Sequence, residues 1–507
     1  MLNPQPSPRV LDWPPIVRAL QPILAANATP VYLVGGAVRD AYLQRPVHDL
    51  DFATAEDGRR LAQIVANRLN GDYYPLDAER GVGRAIVEHQ GQRFTIDIAR
   101  FRGGSLADDL AARDFTINAM AVPMQGDLQQ IIDPLNAVGD LNFKRLRRCA
   151  PDSISADPVR ALRAVRQGIA LKLFIESDTR NDIRLYGPLI VKASAERVRD
   201  ELMTMLGGPR PHVALRTLDT LGLLALIVPE VEAMRGVTQS LPHRFDVWEH
   251  TLNTVERLDG VLTTISPQRT EDSAADSAYG MIVYLLDRYR RRLQEHLAVP
   301  LPNGRTVRAL LVLAALLHDC GKPATRTVDE VGGHIHFYQH EIVGADMAWE
   351  RGAALRLSNE ETSRLSDIVR HHMRPMHLHN AGEVSRRAIY RFWNAAGSTG
   401  IDVCVLTQAD YLAMVGVGLV LQDWIAHLQV VDKLLDGYFN QKETVVTPPP
   451  LVTGHDLIHA LDLQPGPEIG RLLSVIGEAQ AAGEIQTAEE ALALARREVS
   501  PPPDGTL

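Results

Sequence analysis

The chain has 507 residues, of which 45% are hydrophobic, and a formal net charge of -9. This length and hydrophobic content allow several domains with substantial cores, and the acidic total gives no global sign of nucleic-acid binding. No apolar run reaches the length of a membrane span and no charged, apolar leader is present, so we expect a soluble, cytoplasmic protein without a membrane partner. The three cysteines, Cys149, Cys320 and Cys404, are few and far apart, which indicates reduced thiols and excludes a disulfide framework or a zinc module.

The first informative segment is 31–52, VYLVGGAVRDAYLQRPVHDLDF, which ends with Asp49 and Asp51 on either side of a leucine. Side chains two positions apart on a strand point to the same face, so these two carboxylates can share one pair of divalent metals. Nucleotidyl transfer needs an oriented triphosphate whose developing charge is neutralised, usually by Mg²⁺ held on carboxylates. The segment therefore predicts a metal-assisted nucleotide-transfer site, with a solvated strand edge as the alternative.

Two glycines in the same segment, Gly35 and Gly36, permit close approach of the backbone to phosphate. A helix that follows them would direct its N-terminal amides at the same oxygens, and Arg39, one turn into that helix, can clamp a phosphate. The alternative is an ordinary turn between a strand and a helix.

Two further groups of polar residues lie within apolar sequence. In RFTIDIARF, Asp97 alternates with Ile96 and Ile98, so it either completes a triad with the first two carboxylates or lies on the exposed face of an amphipathic strand. In ARDFTINAM, the spacing of Asp114 and Asn118 predicts that both lie on one side of a helix, where they orient a ribose or brace the helix itself.

The sequence Asp157-Pro158 predicts the start of a helix, with Asp157 as its N-cap and Pro158 at its first position. An Asp and an Arg in fixed geometry can accept from and donate to the Watson–Crick edge of a base, whereas local rules alone make Asp157 only a cap. The segment 144–210 has 14 Lys and Arg against 8 Asp and Glu, an excess that can follow a phosphate backbone. Charged side chains recur every third residue beside an apolar strip, at Asp157, Arg160, Arg163 and Arg166.

A second candidate site lies in the helical part of the chain. The run ALLVLAALL is apolar all round and ends in His318 and Asp319. Burying an imidazole and a carboxylate is costly unless they are paired or bind a metal. Together with His250 in WEHT and Asp410 in QADYLAM, they form an H…HD…D pattern that resembles the HD-domain phosphohydrolases.

This resemblance implies a site for Mn²⁺, Ni²⁺ or another transition metal. His340 in FYQHEIVGAD and His371 in IVRHHMRP are candidate ligands for a second metal. The alternative for each lone histidine is a hydrogen-bonded core or surface residue.

The motifs GGAVRD, DLD, ARDFTINAMA, DPVRALRAVR and ERVRDEL occur in this order within residues 31–235. This ordered set resembles the class II tRNA nucleotidyltransferase and bacterial poly(A) polymerase family. The resemblance implies a polymerase-β-like head that binds Mg²⁺, and tRNA or another RNA 3′ end, CTP and ATP as partners. It assigns metal binding to Asp49 and Asp51, nucleotide contacts to Gly36, Arg39, Arg113, Arg163 and Arg166, and base selection to Asp157 and Arg160.

We therefore expect an α+β fold: a nucleotidyltransferase head with a mixed sheet, then an all-α neck and body, an all-α HD domain and a small helical tail. Short β-rich runs (VYLV, LDFAT, RAIVEH, FTIDIARF and IIDP) support the head. A run of three prolines before residue 451 marks a linker. The predicted segments are a head at 1–145, a nucleotide-selecting and RNA-binding neck and body at 146–242, an HD domain at 243–440, and an RNA-binding or packing tail at 451–498.

The segment 103–112 bears on the product. Relatives that add a complete CCA end usually carry a longer flexible loop before the ARD motif, whereas those that add only CC lack it, so the short segment here favours CC addition. A-adding and poly(A)-making relatives share the same catalytic motifs and remain alternatives. An HD phosphohydrolase whose polymerase-like head only binds regulatory nucleotides is the alternative of another class.

Overall fold

The structure is a computed structural model, which describes residues 2–267, 269 and 276–499. It divides into two compact units, the first containing Met1–Glu201 and Thr217–Leu226 and the second containing Leu202–Arg216 and Ile227–Leu507. This division does not test the four predicted segments, which stay a prediction.

Among the described residues, the strands are β1 Gln5–Pro6, β2 Val31–Val34, β3 Asp49–Thr54, β4 Asp72–Asp77, β5 Val82–His89, β6 Gln92–Arg100, β7 Ala121–Pro123, β8 Gln130–Ile131, β9 Arg145–Leu146, β10 Phe174–Ile175, β11 Arg326–Val328 and β12 Ile335–Phe337. The α-helices up to the end of the first unit are α1 Pro15–Ala25, α2 Gly36–Tyr42, α3 Gly58–Arg68, α4 Leu106–Ala111, α5 Ala137–Asn142, α6 Ser153–Ala156, α7 Val159–Leu171, α8 Ser177–Tyr186, α9 Ala195–Gly207, α10 Pro211–Thr220 and α11 Leu224–Ile227. The later helices are α12 Glu230–Met234, α13 Val247–Thr264, α14 Ser277–Leu286, α15 Arg290–Leu297, α16 Val307–Leu317, α17 Lys322–Thr325, α18 His340–Ala354, α19 Asn359–His371, α20 Arg374–Ala381, α21 Arg386–Ala396, α22 Gly400–Val415, α23 Leu421–Asn440, α24 Gly454–Leu461, α25 Pro467–Ala482 and α26 Ala488–Glu498.

The first unit is built on a six-stranded sheet with the strand order β4-β5-β6-β3-β2-β7. The β3–β6 pair is parallel and the other pairs are antiparallel, so the sheet is mixed. The predicted α+β class and the mixed sheet are confirmed. Two strands of this sheet, β4 and β7, lie outside the β-rich runs predicted from the sequence.

Strand β3 presents its carboxylates to one side of this sheet because its residues alternate. Leu50 and Phe52 are fully buried, while Asp49 and Asp51 are exposed on the opposite face. Strand β6 alternates in the same way, with Ile96 buried beside Asp97. The two-residue period of a strand therefore places all three carboxylates on the same face of neighbouring strands.

The predicted helix that carries Asp114 and Asn118 is wrong. The segment forms a short 3₁₀ helix over Thr116–Asn118, preceded by extended backbone at Phe115. The Asp114 carboxylate accepts hydrogen bonds from the Phe115 backbone N–H and from the Asn118 amide, at 2.8 and 2.9 Å. Such local side-chain bonds compete with a regular helix, which explains why the chain turns here.

The predicted N-cap role of Asp157 is also wrong. Helix α7 begins at Val159, its N-cap is Pro158, and no side chain caps it. The Asp157 carboxylate instead accepts a hydrogen bond of 2.6 Å from Arg197. The predicted apolar strip is confirmed, because Val159, Leu162 and Val165 are buried.

In its described part, the second unit consists of helices, the β11–β12 hairpin and irregular connections such as the one between α12 and α13. Its central helix is α16, whose residues are buried all round, as expected for a helix that is apolar on every face. Helices α13, α19 and α22 pack around it. The C-terminal helices α24, α25 and α26 enclose a small core of their own that includes Leu457 and Leu472.

The three cysteines are free, and Cys320 and Cys404 are buried. Contrary to the expectation from the sequence, one segment of the described chain, Arg386–Gly418, has the length and apolar composition of a membrane span. It contains α21 and α22, and 78% of its most apolar window is buried inside the protein. Burial of this kind is typical of core helices.

Asp140 on α5 is a buried anchor of the first unit. Its carboxylate, which is fully buried, accepts hydrogen bonds from Thr116 at 2.6 Å, Arg145 at 2.6 Å and Arg147 at 3.0 Å. These bonds join the 3₁₀ segment to the strand that leads into α6.

We expect Asp140→Asn to lower the free energy of unfolding by about 3 kcal/mol, since it leaves two partly buried guanidinium groups without their counter-charge. Urea denaturation followed by circular dichroism measures this change. Asp127→Asn, at an exposed position of the same unit, serves as the control and should shift the free energy by less than about 0.5 kcal/mol. Equal effects of the two substitutions would contradict the anchoring role.

Candidate active site and candidate metal centre

One cavity of about 1690 Å³ in the first unit brings together every residue that the sequence predicted for nucleotide transfer. Its wall consists of the carboxyl-bearing strands, the glycine turn before α2, the segment before the 3₁₀ helix, and the charged side of α7. The predicted residues that line it are Gly35, Gly36, Arg39, Asp49, Asp51, Asp97, Arg113, Asp114, Asn118, Asp157, Arg160, Arg163 and Arg166.

The three carboxylates differ in how their oxygens are engaged. Asp51 and Asp97 are register partners on the parallel strands β3 and β6. Both oxygens of Asp97 accept hydrogen bonds from Arg84, at 2.7 and 2.8 Å, whereas no described side chain hydrogen-bonds to Asp49 or Asp51. The oxygens of Asp49 and Asp51 are therefore available to a hard cation such as Mg²⁺, and Asp97 would have to release Arg84 before acting as a third ligand.

The charge of Asp51 is sensitive to what occupies the cavity. The pKa of Asp51 is raised to about 6, mainly by desolvation on the cavity floor and also by the neighbouring Asp97 and Asp49, while Arg113 opposes the rise. Asp49 and Asp51, which no described side chain hydrogen-bonds, lie with Asp97 in the crowded arrangement that a divalent cation stabilises. The donor set thus fits a divalent metal.

The glycine turn is fixed by its neighbours. Gly35 has a φ of +79°, in the left-handed region, and a Cβ at this position would lie 2.8 Å from an Arg113 nitrogen. Arg39 follows in α2, and its guanidinium donates to both oxygens of Asp40 at 2.9 and 2.8 Å and to the Asn118 carbonyl oxygen at 2.5 Å. The turn and the oriented arginine both line the cavity, and the phosphate clamp stays a prediction.

Asn118 and Asp114 connect this turn to helix α7. Asn118 accepts from Arg39 and donates to Asp114 at 2.9 Å and to Gln167 at 3.0 Å. Asp114 also accepts from Arg163 at 3.1 Å. Although burial alone would raise the pKa of Asp114, Arg163 and the bonds from Asn118 and Phe115 hold it below its usual value. The bracing role is present, and a contact to ribose stays a prediction.

The charged side of α7 is held from two directions. Arg160 donates to the backbone carbonyl of Ala112 at 3.0 Å and to the Ser153 hydroxyl at 2.9 Å. Arg163 and Arg166 share Glu201, with N–O distances of 3.1 and 2.6 Å. The helix therefore presents an arginine row whose geometry is fixed by α9 and by the segment before the 3₁₀ helix.

Sequence reasoning missed several residues of this cavity. Arg197 and Glu201 belong to the ERVRDEL motif, so pairing their charges with the α7 row could have found them. Asp109 and Gln167 belong to none of the recognised motifs, and neither does Arg84, which holds Asp97 from outside the lining. The four-residue step from Asp109 to Arg113 could have been found from spacing, whereas the partners of Gln167 and Arg84 lie too far along the chain.

The second unit contains a buried cluster of histidines and aspartates. Two groups of three residues each bring their ligand atoms within 4.8 Å of one another. Asp319 belongs to both groups. The first group adds His250 and His318, and the second adds His340 and His372. Asp410 lies beside the first group, 3.0 Å from the Nε2 atom of His250 and 3.6 Å from that of His318.

The tautomers of three of these histidines are fixed by the backbone. The Nδ1 atoms of His318, His340 and His372 lie 2.7 to 2.8 Å from the carbonyl oxygens of Ala315, Phe337 and Val369. An Nδ1–H that donates to a carbonyl leaves the Nε2 lone pair free for a metal. His318 Nε2 is buried without a hydrogen-bond partner, as expected for a metal ligand.

The electrostatics of the cluster are suited to a bound cation. Burial would raise the pKa values of Asp319 and Asp410, yet the histidines, and Lys322 for Asp319, hold both well below their usual range. Burial lowers the pKa of His318, but these two carboxylates outweigh it and raise it to about 10. Two ionised carboxylates among four imidazoles fit one or two transition-metal ions.

The prediction of His371 as a ligand is wrong by one residue. The structure places His372 at this position, with its Nε2 atom 3.3 Å from that of His340 and 3.8 Å from an Asp319 oxygen. Adjacent residues on a helix point about 100° apart, so only one member of the His371-His372 pair faces the cluster. The sequence pattern does not distinguish the two.

Four family models match parts of the chain. They are the poly A polymerase head domain at residues 31–147, the probable RNA and SrmB-binding site of polymerase A at 172–235, the HD domain at 283–415, and the tRNA nucleotidyltransferase domain 2 at 421–495.

Curated relatives align over nearly the whole chain. The A-adding tRNA nucleotidyltransferase of Deinococcus radiodurans is 32% identical over 92% of this chain and 94% of its own length. The CC-adding tRNA nucleotidyltransferase of Thermus thermophilus is 30% identical, with coverages of 91% and 92%. The CC-adding enzyme of Geobacter sulfurreducens is 29% identical, and 93% of each chain is covered.

Solved structures share the fold. A CCA-adding enzyme in complex with CTP has a TM-score of 0.62 and 19% identity, with 98% of this chain and 100% of that chain covered. The Thermotoga maritima CCA-adding enzyme complexed with tRNA has a TM-score of 0.57 and 17% identity, with coverages of 99% and 100%. At these identities the likeness concerns the fold.

We expect His372→Ala to lower the Mn²⁺ content of the second unit's cluster by about one equivalent, because it removes a ligand that the adjacent histidine cannot replace. Equilibrium dialysis followed by metal analysis measures the bound metal. His371→Ala is the matched control and should retain the wild-type content. Loss of metal in His371→Ala, with no loss in His372→Ala, would reverse the assignment.

Proposed function

The chain belongs to the class II tRNA nucleotidyltransferase family and carries an HD domain, and from this premise we propose that it adds CMP to the 3′ end of tRNA and stops at CC. The observation that carries the transfer reaction is the shared face of Asp49 and Asp51 on the floor of one large cavity. The partners that follow are a tRNA 3′ end and CTP, and ATP if the product is a full CCA end.

Divalent metal dependence accompanies this family, and we assign Mg²⁺ to Asp49 and Asp51. A bound metal pair would polarise the α-phosphate and lower the pKa of the attacking 3′ hydroxyl. Asp97, held by Arg84, keeps negative charge beside Asp51 and so favours cation binding. Because no described side chain occupies the oxygens of Asp49 and Asp51, a cation can enter without breaking an ion pair.

The incoming nucleotide is oriented by groups that are already fixed. Gly35 and Gly36 leave space at the start of α2, and Arg39 and Arg113 line that space with guanidinium groups held by aspartates. Phosphoryl and nucleotidyl transfer depend mainly on such positioning and charge neutralisation. The guanidinium groups that bind the triphosphate would then need little reorganisation.

We assign base selection to Asp157 and Arg160, with Arg163 and Arg166 as further contacts. The Asp157 carboxylate accepts a hydrogen bond from Arg197 and does not cap α7. It lines the cavity. Arg160 is held by backbone carbonyls, which fix its guanidinium beside that carboxylate. An acceptor and a donor fixed side by side match the Watson–Crick edge of one base better than that of another.

Segment 103–112 supports CC as the product. It contains only α4 and its cap, with the Ser105 hydroxyl accepting the Asp108 backbone N–H and Asp109 buried against the cavity wall. A segment this short and this tightly bonded cannot rearrange to accommodate a second base. Relatives named for A addition and for CC addition have similar identities, so overall similarity does not choose between the products.

We expect purified protein to extend a tRNA transcript that lacks CCA by two C residues when both CTP and ATP are supplied, because the fixed pocket accepts one base. Transcripts ending before CCA, at C and at CC, resolved on sequencing gels, measure the product. Asp49→Ala should abolish incorporation, and His318→Ala should leave it intact.

Extension to CCA would overturn the CC proposal while leaving the transferase in place. Addition of A alone, or of long A tails, would redirect the product to an A-adding enzyme or a poly(A) polymerase. Incorporation that survives in Asp49→Ala would contradict the transferase site itself.

We also propose a second activity, metal-dependent hydrolysis of phosphate esters, for the HD domain at 243–440. Two ligand groups that share Asp319 are suited to hold two metals that clamp a phosphate. Lys322, 2.7 Å from Asp319 and buried, supplies a cation at the same place. The head at 1–145, the neck and body at 146–242 and the tail at 451–498 complete the proposed organisation.

With Mn²⁺ or Ni²⁺ present, we expect the wild-type protein to hydrolyse a phosphomonoester or a cyclic phosphodiester, because the metals would activate water beside the clamped phosphate. Colorimetric phosphate release measures this activity. His318→Ala should lose it and Asp49→Ala should keep it. If neither protein releases phosphate, or if both do so equally, the hydrolase proposal fails.

A further inference from the structure

A buried carboxylate holds the arginine at the mouth of the glycine turn. Asp109 lies on α4, lines the cavity, and is only 3% exposed. Its Oδ2 atom accepts hydrogen bonds from the Arg113 guanidinium at 2.9 and 3.2 Å. Its Oδ1 atom accepts the backbone N–H of Arg102 at 3.0 Å. Both oxygens of this buried group are therefore engaged.

The bonds to Asp109 determine where Arg113 points. Nε and one terminal nitrogen of the guanidinium are bonded to Asp109, so the other terminal nitrogen is directed away from it. That nitrogen faces the glycine turn, where a Cβ on Gly35 would lie 2.8 Å from it and 3.4 Å from an Asp51 oxygen. Arg113 is thus aimed at the place where the turn and the metal-binding carboxylates meet.

A second contact fixes the backbone of the same segment. Arg160 on α7 donates to the carbonyls of Ala112 and Arg113, at 3.0 and 3.3 Å. The main chain of Arg113 is therefore held from α7 while its side chain is held from α4. Without Asp109, the main chain would stay in place and the long side chain would regain its rotamer freedom.

We propose that Asp109 is a positioning residue for nucleotide binding, which presets the Arg113 guanidinium to meet the triphosphate of the incoming nucleotide. This rests on the proposed transferase function. Asp109 itself does not touch the nucleotide. A residue with only a folding role would affect stability and not the strength of nucleotide binding.

The test compares Asp109→Asn with Asp108→Asn, its exposed neighbour on the same helix. Loss of a charge-assisted bond that orients Arg113 should raise the KM for CTP about tenfold in Asp109→Asn. The kcat should change little, because the same contact exists in the ground state and in the transition state. Asp108→Asn should keep the wild-type KM. Thermal unfolding of each variant reports whether the fold is retained.

Arg113→Lys is a second variant, to be tested alone and together with Asp109→Asn. It keeps the positive charge but loses the paired guanidinium bonds to Asp109. Its KM should rise to a similar extent, and adding Asp109→Asn to it should raise the KM no further, because Asp109 acts through the Arg113 fork. If Asp109→Asn alone is too unstable to assay, Arg113→Lys still tests the proposal, since a wild-type KM in this variant would overturn it.

Equal KM values in Asp109→Asn and Asp108→Asn would overturn the positioning role, and so would independent, additive effects of Asp109→Asn and Arg113→Lys. Failure of the proposed function looks different: the wild-type protein would incorporate no CTP, or Asp49→Ala would incorporate it.

Discussion

The cavity depends on the ion pair between Asp114 and Arg163. Asp114 is buried beside the 3₁₀ segment and Arg163 projects from α7, and their N–O distance is 3.1 Å. A buried carboxylate is stable only when its charge and its lone pairs are satisfied, and Asp114 obtains this from Arg163, Asn118 and the backbone of Phe115. This pair fixes the charged helix against the segment that lies beside the sheet.

Further bonds extend this pair into a continuous network. From Asn118 it reaches Arg39 and the glycine turn, and from Arg163 it reaches Glu201 and Arg166. The guanidinium groups of Arg39, Arg113, Arg160, Arg163 and Arg166 are therefore already bonded to protein oxygens. A site arranged in this way spends little conformational entropy when it binds an anion, because the cations are ordered before the ligand arrives.

In the second unit, too, buried carboxylates need partners for their charge and their lone pairs, but the partners differ. Around Asp319, the protein brings several imidazoles and a second carboxylate together, but it leaves the Nε2 atom of His318 without a partner. In the first unit, arginines and aspartates pair with one another around the cavity, and the oxygens of Asp49 and Asp51 stay open on its floor. In the second unit, the imidazoles and carboxylates converge on one another, so the donor set itself is what a metal would occupy.

The sequence predicted well the features that depend on local periodicity. The carboxylates of β3 and β6 share a face because strands alternate, and the apolar strip of α7 is buried because helices repeat. The α+β class and the family followed from ordered motifs.

Asp157 failed as a cap because Arg197, forty residues away, competes for its carboxylate. His371 was chosen over His372 because one step along a helix is invisible to a pattern of spaced histidines. The four-residue spacing of Asp114 and Asn118 suggested a helix, but a local hydrogen bond produced a tighter turn.

The backbone bonds of the three cluster histidines have a further consequence. Each Nδ1 atom bonds to the carbonyl three residues earlier in its own segment, so each ring is oriented by its own stretch of chain. The three Nε2 atoms are therefore directed into the cluster by bonds that the ion itself does not make. Binding of an ion needs no rotation of these rings and costs little ordering of their side chains.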